Sequence, residues 1–201
     1  MANRFVLAAC LALVLATPAT AAVKSTNPAD LPAGHYVLDK AHGSLIARIS
    51  HMGFSHYTVR FNRMDAEFDY DPKSPTVSRL EVRVEASSID TGNADFSREL
   101  AGDGWFDARR HPTITFVSKS VDLGDGQNGK IAGDLTLRGV TRPVSLDVTF
   151  NGVGSGLIPG SLRTGFSASG VIKRSDFGMT RYSTWVGDEV SLQIEAEFTR
   201  R

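Results

Sequence analysis

From residue 79 to 85 the chain alternates without a break, with Arg79, Glu81, Arg83 and Glu85 set against Leu80, Val82 and Val84. Near the C-terminus Glu189, Ser191, Gln193, Glu195 and Glu197 interleave in the same way with Val190, Leu192, Ile194, Ala196 and Phe198. Successive strand side chains point to opposite faces, so this pattern demands a sheet with one wet face and one buried face. The same period runs through residues 131–137 and 144–150, and more weakly through 57–61, 114–116 and 162–172. Adding 36–39 and 44–51 brings the count to about eight to ten strands. Apolar positions change parity between Phe61 and Phe68, which predicts a bulge or bend there. Turn chemistry at 71–75, 124–129 and 138–143 separates the strands with connections short enough to join antiparallel neighbours. The one helical pattern is 93–101, where Phe96 and Leu100 lie four apart and Asn93 is placed to cap. An antiparallel sheet of this size must pair with a second sheet or close on itself. Arg, Glu and Lys opposite the Leu/Val rows argue against an outer-membrane barrel. The expected fold is all-β, one domain over residues 22–201, with one short helix.

The first twenty-one residues read as an address. Arg4, an apolar run from Phe5 to Ala16 and a small-x-small site ending at Ala21 make a secretory signal peptide, with a periplasmic destination. The apolar run is too short to span a bilayer, and no later stretch approaches the length that would. Cys10, the only cysteine, lies inside that run. Leu7-Ala8-Ala9-Cys10 resembles the box before a lipid-modified cysteine, but only Phe5 and Val6 precede it, so an anchor is not expected. The mature chain then has neither thiol nor disulfide, and its stability rests on its core. Lys plus Arg and Asp plus Glu both number 22, which gives no net field to attract phosphates and argues against a nucleic-acid partner. If the chain self-associates, a homodimer is the expected form.

Signals for chemistry are weak. Gly124, Gly126 and Gly129 have dinucleotide-loop spacing, yet a strand pattern follows where a helix is required. His35, His42, His51, His56 and His111 have no local partner at metal-ligand spacing, so no metal is expected. The segment 165–170 misses the nucleophile elbow. Asp39, Asp90, Asp107, Asp134, Asp176 and Asp188 fall at strand ends and turns, where aspartate commonly accepts backbone N–H bonds. No catalytic residue is named and no cofactor is expected. Apolar residues do accumulate off the strand pattern at Met52, Phe54, Trp105, Phe106, Phe177, Met179 and Trp185. Each suits a plug for a barrel end or the rim of an apolar pocket.

Tyr36-Val37-Leu38-Asp39, His51-Met52-Gly53-Phe54-Ser55, Arg60-Phe61, Ser88-Ile89-Asp90-Thr91, Trp105-Phe106-Asp107, the block from Gly133 to Val144, Arg174-Ser175-Asp176-Phe177-Gly178 and Val186-Gly187-Asp188 follow one another in this order. Together they resemble the YceI-like family of exported, lipocalin-like polyisoprenoid-binding proteins. Two departures are Phe96-Ser97-Arg98-Glu99-Leu100 in the helical segment and Val59 where the family usually has glycine. The resemblance implies an eight-stranded antiparallel barrel holding a polyprenyl chain or an isoprenoid quinone, with no enzymatic step. The ligand-lining candidates are Met52, Phe54, Phe61, Phe68, Trp105, Phe106, Phe116, Leu135, Leu137, Phe166 and Trp185. His51, Ser55 and Arg60 are the candidates for a polar head group. The alternatives are an accessory protein or enzyme in quinone-linked redox, with His51 taking part, or a filled-core interaction module. Membrane contact is expected to be transient.

Overall fold

The computed structural model describes residues 23–74, 79–122, 124, 126–156 and 161–201. Among the described residues twelve strands form one antiparallel sheet: β1 (Val23–Ser25), β2 (Gly34–Leu38), β3 (Ser44–His51), β4 (Ser55–Phe61), β5 (Met64–Tyr70), β6 (Arg79–Glu85), β7 (Ile89–Asp90), β8 (Thr113–Asp122), β9 (Asn128–Leu137), β10 (Val140–Ser155), β11 (Leu162–Lys173) and β12 (Val186–Arg200). Three pairs are single staves broken by a bend. A 3₁₀ turn at Lys40–His42 divides β2 from β3, residues 62 and 63 divide β4 from β5, and a second 3₁₀ turn at Ala86–Ser88 divides β6 from β7. The parity change after Phe61 is the second of these bends. β1 lies outside the ring, paired with the far end of β10. Eight staves then close in chain order, because β12 pairs with β11 on one side and with β2 and β3 on the other. The fold is the closed eight-stranded antiparallel barrel with one helix.

Local sequence explains the joints. The helix α1 (Ala94–Ala101) is capped by the Asn93 side chain, which accepts from the Phe96 N–H at 3.0 Å. The β9–β10 turn is shorter than 138–143. Only Arg138 and Gly139 turn, both with positive φ (52° and 73°), and β10 resumes at Val140. Two consecutive positive φ values match the twist of a two-residue hairpin, so the strand restarts at once and carries Pro143 within it. Part of the turn expected at 71–75 lies outside the described residues.

Asp39, at the end of β2, ties the closing seam. Its carboxylate accepts from the Ala41 N–H at 3.1 Å and His42 Nδ1 at 2.9 Å, and meets Arg163 of β11 at 2.7 Å. Arg163 also reaches Glu197 of β12 at 2.9 Å. Partial burial pushes the Asp39 carboxyl up, but the hydrogen bonds from Arg163, His42 and Ala41 outweigh it and hold the group below the usual carboxylate range. The helix end of the barrel is tied by Arg174. Its guanidinium is buried and donates to the carbonyls of Met179 (2.7 Å), Gly187 (2.8 Å), Arg181 (2.8 Å) and Val186 (3.0 Å).

Two outcomes are expected. Arg174→Ala leaves buried carbonyls without donors and costs about 3 kcal/mol in urea denaturation. Because the folded-state pKa of Asp39 lies below its unfolded value, its contribution is present above the ordinary carboxylate range and is lost as pH falls through the folded value. Asp39→Asn therefore lowers the urea midpoint at about pH 7, and its difference from wild type shrinks as pH falls from the ordinary carboxylate range through the folded value.

Candidate functional site

The inward face of the ring encloses a cavity of about 240 Å³. Its wall comes from the alternating rows, notably Phe116 on β8, Leu135 on β9, Leu146 on β10 and Leu192 and Ile194 on β12. Inward residues on β12 are only half-buried from Val190 to Ala196, whereas Phe198 on the same face is fully packed. That difference marks where the interior is hollow. Gly133 helps to shape the wall. A Cβ there would stand 2.7 Å from Phe116 Cζ and 2.4 Å from the Val117 carbonyl, so only glycine lets the ring lie across β9.

Packed side chains bound the hollow on two sides. At the helix end Phe61, Leu100, Trp105, Leu137, Phe177 and Met179 make a plug. Toward the other end Leu31, Tyr36, Phe68, Phe150, Val153 and Phe198 make a second cluster. There Tyr36 stacks on Phe68 at 4.8 Å and donates its hydroxyl to the Pro32 carbonyl at 2.6 Å, while burial pushes the phenol pKa up. The exposed polar lining residues Asp122, Gln127 and Lys130 all belong to the β8–β9 hairpin, which makes that hairpin the mouth. Lys130 pairs with Asp147. Only apolar contact is offered further in.

The fourteen candidate residues separate into three places. Phe68, Phe116, Leu135 and Phe166 line the cavity. Phe61, Trp105, Phe106 and Leu137 belong to the plug beneath it. The other six lie outside and exposed, with Met52, Phe54, His51 and Ser55 at the β3–β4 hairpin, Trp185 on the neighbouring turn before β12, and Arg60 on the outer face of β4 beside Phe61. The mouth residues Asp122, Gln127 and Lys130 were not candidates, since polar residues in a glycine-rich hairpin carry no sequence signal of a pocket. The rows 144–150 and 190–198 did carry a signal, because their parity already turns them inward.

The remaining polar groups hold structure. Asp90 accepts from the Gly92 N–H at 2.8 Å and Asp188 from the Ser175 N–H at 2.9 Å. Hydrogen bonds from Asn62 and from Ser175 hold these two carboxyls below the usual range. His35 bonds Asp69 and His42 bonds Asp39. Among the described residues no group of three or more His, Cys, Asp or Glu could hold a metal ion. A polar hollow on the outer wall of β10 to β12 contains Ser167, which accepts from Asn151 and donates to Glu195.

A family model described as the YceI-like domain matches residues 36–198, from the first stave to the last. The chain belongs to the YceI-like family. UPF0312 proteins of Pectobacterium carotovorum and Vibrio cholerae are 37% and 35% identical to it, over 84% and 88% of this chain and 88% and 89% of theirs. The crystal structure of the Campylobacter jejuni YCEI protein superimposes with a TM-score of 0.68 at 33% identity, covering 76% of this chain and 90% of that one. A polyisoprenoid binding domain from Saccharophagus degradans shares the fold, with a TM-score of 0.60 at 16% identity over 83% of this chain and 98% of that one. In this YceI-like chain the family block from Gly133 to Val144 is the β9–β10 hairpin, and Arg174 is the clamp on the plug.

Because the interior is hollow, filling it should stabilise the barrel. Ala168→Leu, on the cavity wall, is expected to raise stability by about 1 kcal/mol in urea denaturation. A filled core would respond to the same substitution with a loss.

Proposed function

We propose that this protein binds a long isoprenoid chain, of a polyprenyl lipid or an isoprenoid quinone, inside its barrel and carries or stores it in the periplasm. The observation that carries this reading is the hollow itself, apolar from wall to plug and polar only at its mouth. A dry apolar cavity of roughly 150 Å³ accepts a benzene-sized guest. At about 240 Å³ this one takes a thin segment of chain, with further units leading toward the β8–β9 hairpin. Each buried CH₂ contributes about 0.8 kcal/mol, so a five-carbon unit adds on the order of 3 kcal/mol before ordering costs. Such binding requires no catalytic group. Membership of the YceI-like family and the shared fold with a polyisoprenoid binding domain support the same reading. Export rests on the N-terminal pattern, which lies outside the described residues. Among the described residues no helix is long and apolar enough to cross a membrane.

We read the protein as a binder rather than an enzyme. His51, the histidine considered for chemistry on a bound lipid, sits on the exposed hairpin beyond the plug and supplies nothing to a guest in the cavity.

The test is solvent extraction of protein from its natural host, followed by mass spectrometry. A stoichiometric polyprenyl or quinone species is expected. Leu135→Arg and Phe116→Arg, which place a charge against the guest, should yield empty protein with the circular dichroism spectrum of wild type. A clean extract from folded wild type, with no rise in melting temperature on adding a long-chain quinone, would overturn the proposal.

A further inference from the structure

Among the described residues five large apolar side chains are exposed, and four of them sit at one place. Met52 (43% exposed) and Phe54 (85%) form the tip of the β3–β4 hairpin, and Tyr182 (50%) and Trp185 (57%) lie on the neighbouring turn before β12. The two turns are joined directly. The Met52 N–H donates to the Trp185 carbonyl at 2.7 Å, and Val186 pairs with His51. Each turn is also fixed internally, by Phe54 N–H to the His51 carbonyl at 3.1 Å and Trp185 N–H to the Tyr182 carbonyl at 2.9 Å. Met52 and Tyr182 hold positive φ values of 55° and 53° within these turns. The apolar groups are therefore presented outward by a braced backbone, which a soluble surface has no reason to do with a phenylalanine and a tryptophan.

We infer that this aromatic tip is a docking surface for a lipid bilayer, seated among the headgroups with Phe54 and Trp185 reaching toward the acyl chains. Three observations favour a bilayer over a protein partner. The residue types are those that suit a boundary between water and hydrocarbon, aromatic rings with an apolar body and, in Trp and Tyr, a polar edge. The tip stands clear of its surroundings, since a Cβ on Gly53, between Met52 and Phe54, would meet no heavy atom within 4 Å. Its charge is one-signed in its own segments. Residues 48–60 carry Arg48, His51, His56 and Arg60, residues 177–187 carry Arg181, and neither stretch contains an aspartate or glutamate although the whole chain is balanced. Carboxylates enter from outside these segments: Glu99 lies 3.8 Å from Arg181 with Asp103 also acting on it, Asp90 is near Arg60, and Asp176 and Asp188 bound the second stretch. Attraction to anionic lipid therefore adds to apolar insertion. The tip stands at the plugged end and the mouth at the other, so docking holds the barrel upright with the mouth facing away from the membrane.

The inference is independent of what the cavity holds, and so is its test. Protein is sedimented with vesicles of phosphatidylethanolamine and phosphatidylglycerol, and tryptophan emission is followed with lipids brominated on their acyl chains. Trp105 is 8% exposed but its ring lies 6.0 Å from that of Tyr182, so quenching is read in the Trp105→Phe variant, where Trp185 is the one tryptophan. Wild type is expected to partition onto the vesicles, more strongly as phosphatidylglycerol increases, and the Trp185 emission of Trp105→Phe to be quenched. The double variant Phe54→Ser, Trp185→Ser should partition about tenfold less or worse. Val171→Ser, which removes the fifth exposed apolar residue on the outer wall of β11, should partition like wild type. These surface changes leave the plug intact, and circular dichroism checks the fold. Absence of quenching in Trp105→Phe, or equal partitioning of the double variant, overturns the inference. Retained lipid extract with lost vesicle binding would separate it from the proposed cavity function.

Discussion

The structure depends on the pairing of its last strand with the first stave of the ring. β12 meets β2 through Phe198–Leu38 to Arg200–Tyr36 and β3 through Val190–Ile49 to Glu195–Ser44. Nothing local brings these strands together, since they lie more than a hundred residues apart and their contact is made only when the intervening staves are in place. The ion pairs of Arg163 with Asp39 and Glu197 bridge three staves at this seam. Without closure the sheet would present two long edges to solvent, and the inward rows would share no common interior.

Closure also explains why the interior is hollow. Eight staves enclose more width than medium-sized aliphatic side chains fill, and the aromatic residues that would fill it are concentrated in the two end clusters. The apolar wall of the hollow of about 240 Å³ has no side chains packed against its inner face, and an apolar guest supplies those contacts, which is the physical basis of the binding proposal.

The two ends of the barrel are built for different purposes. At the plugged end Arg174 replaces the solvent of four carbonyls and locks the turn that carries Tyr182 and Trp185, so packing inside and apolar display outside are held by one set of bonds. At the mouth the polar residues sit on a hairpin, with Asp122 accepting from the Gly124 N–H and Thr149 donating to Asn128. Turn-forming and seam-forming contacts occupy Asp39, Asp90 and Asp188, which is why these carboxylates, though perturbed, mark no reactive centre.

Much of this was legible in the chain. The unbroken alternation at 79–85 and 189–198 determined which side chains face inward, since the two-residue period of a strand admits no other assignment. Asn93 determined the start of α1, and the parity change after Phe61 located a bend. What alternation does not carry is height along the barrel axis. Phe116 and Leu137 are both inward-facing apolar residues, yet one lines the cavity and the other is buried in the plug. Met52 and Trp105 both look like rim residues in sequence, and only the fold places one in solvent and the other in the core. That height is set by the stagger between staves and by where α1 and the Arg174 turn pack across the end. Both are properties of strand pairs distant in sequence, so the tertiary structure alone decided them.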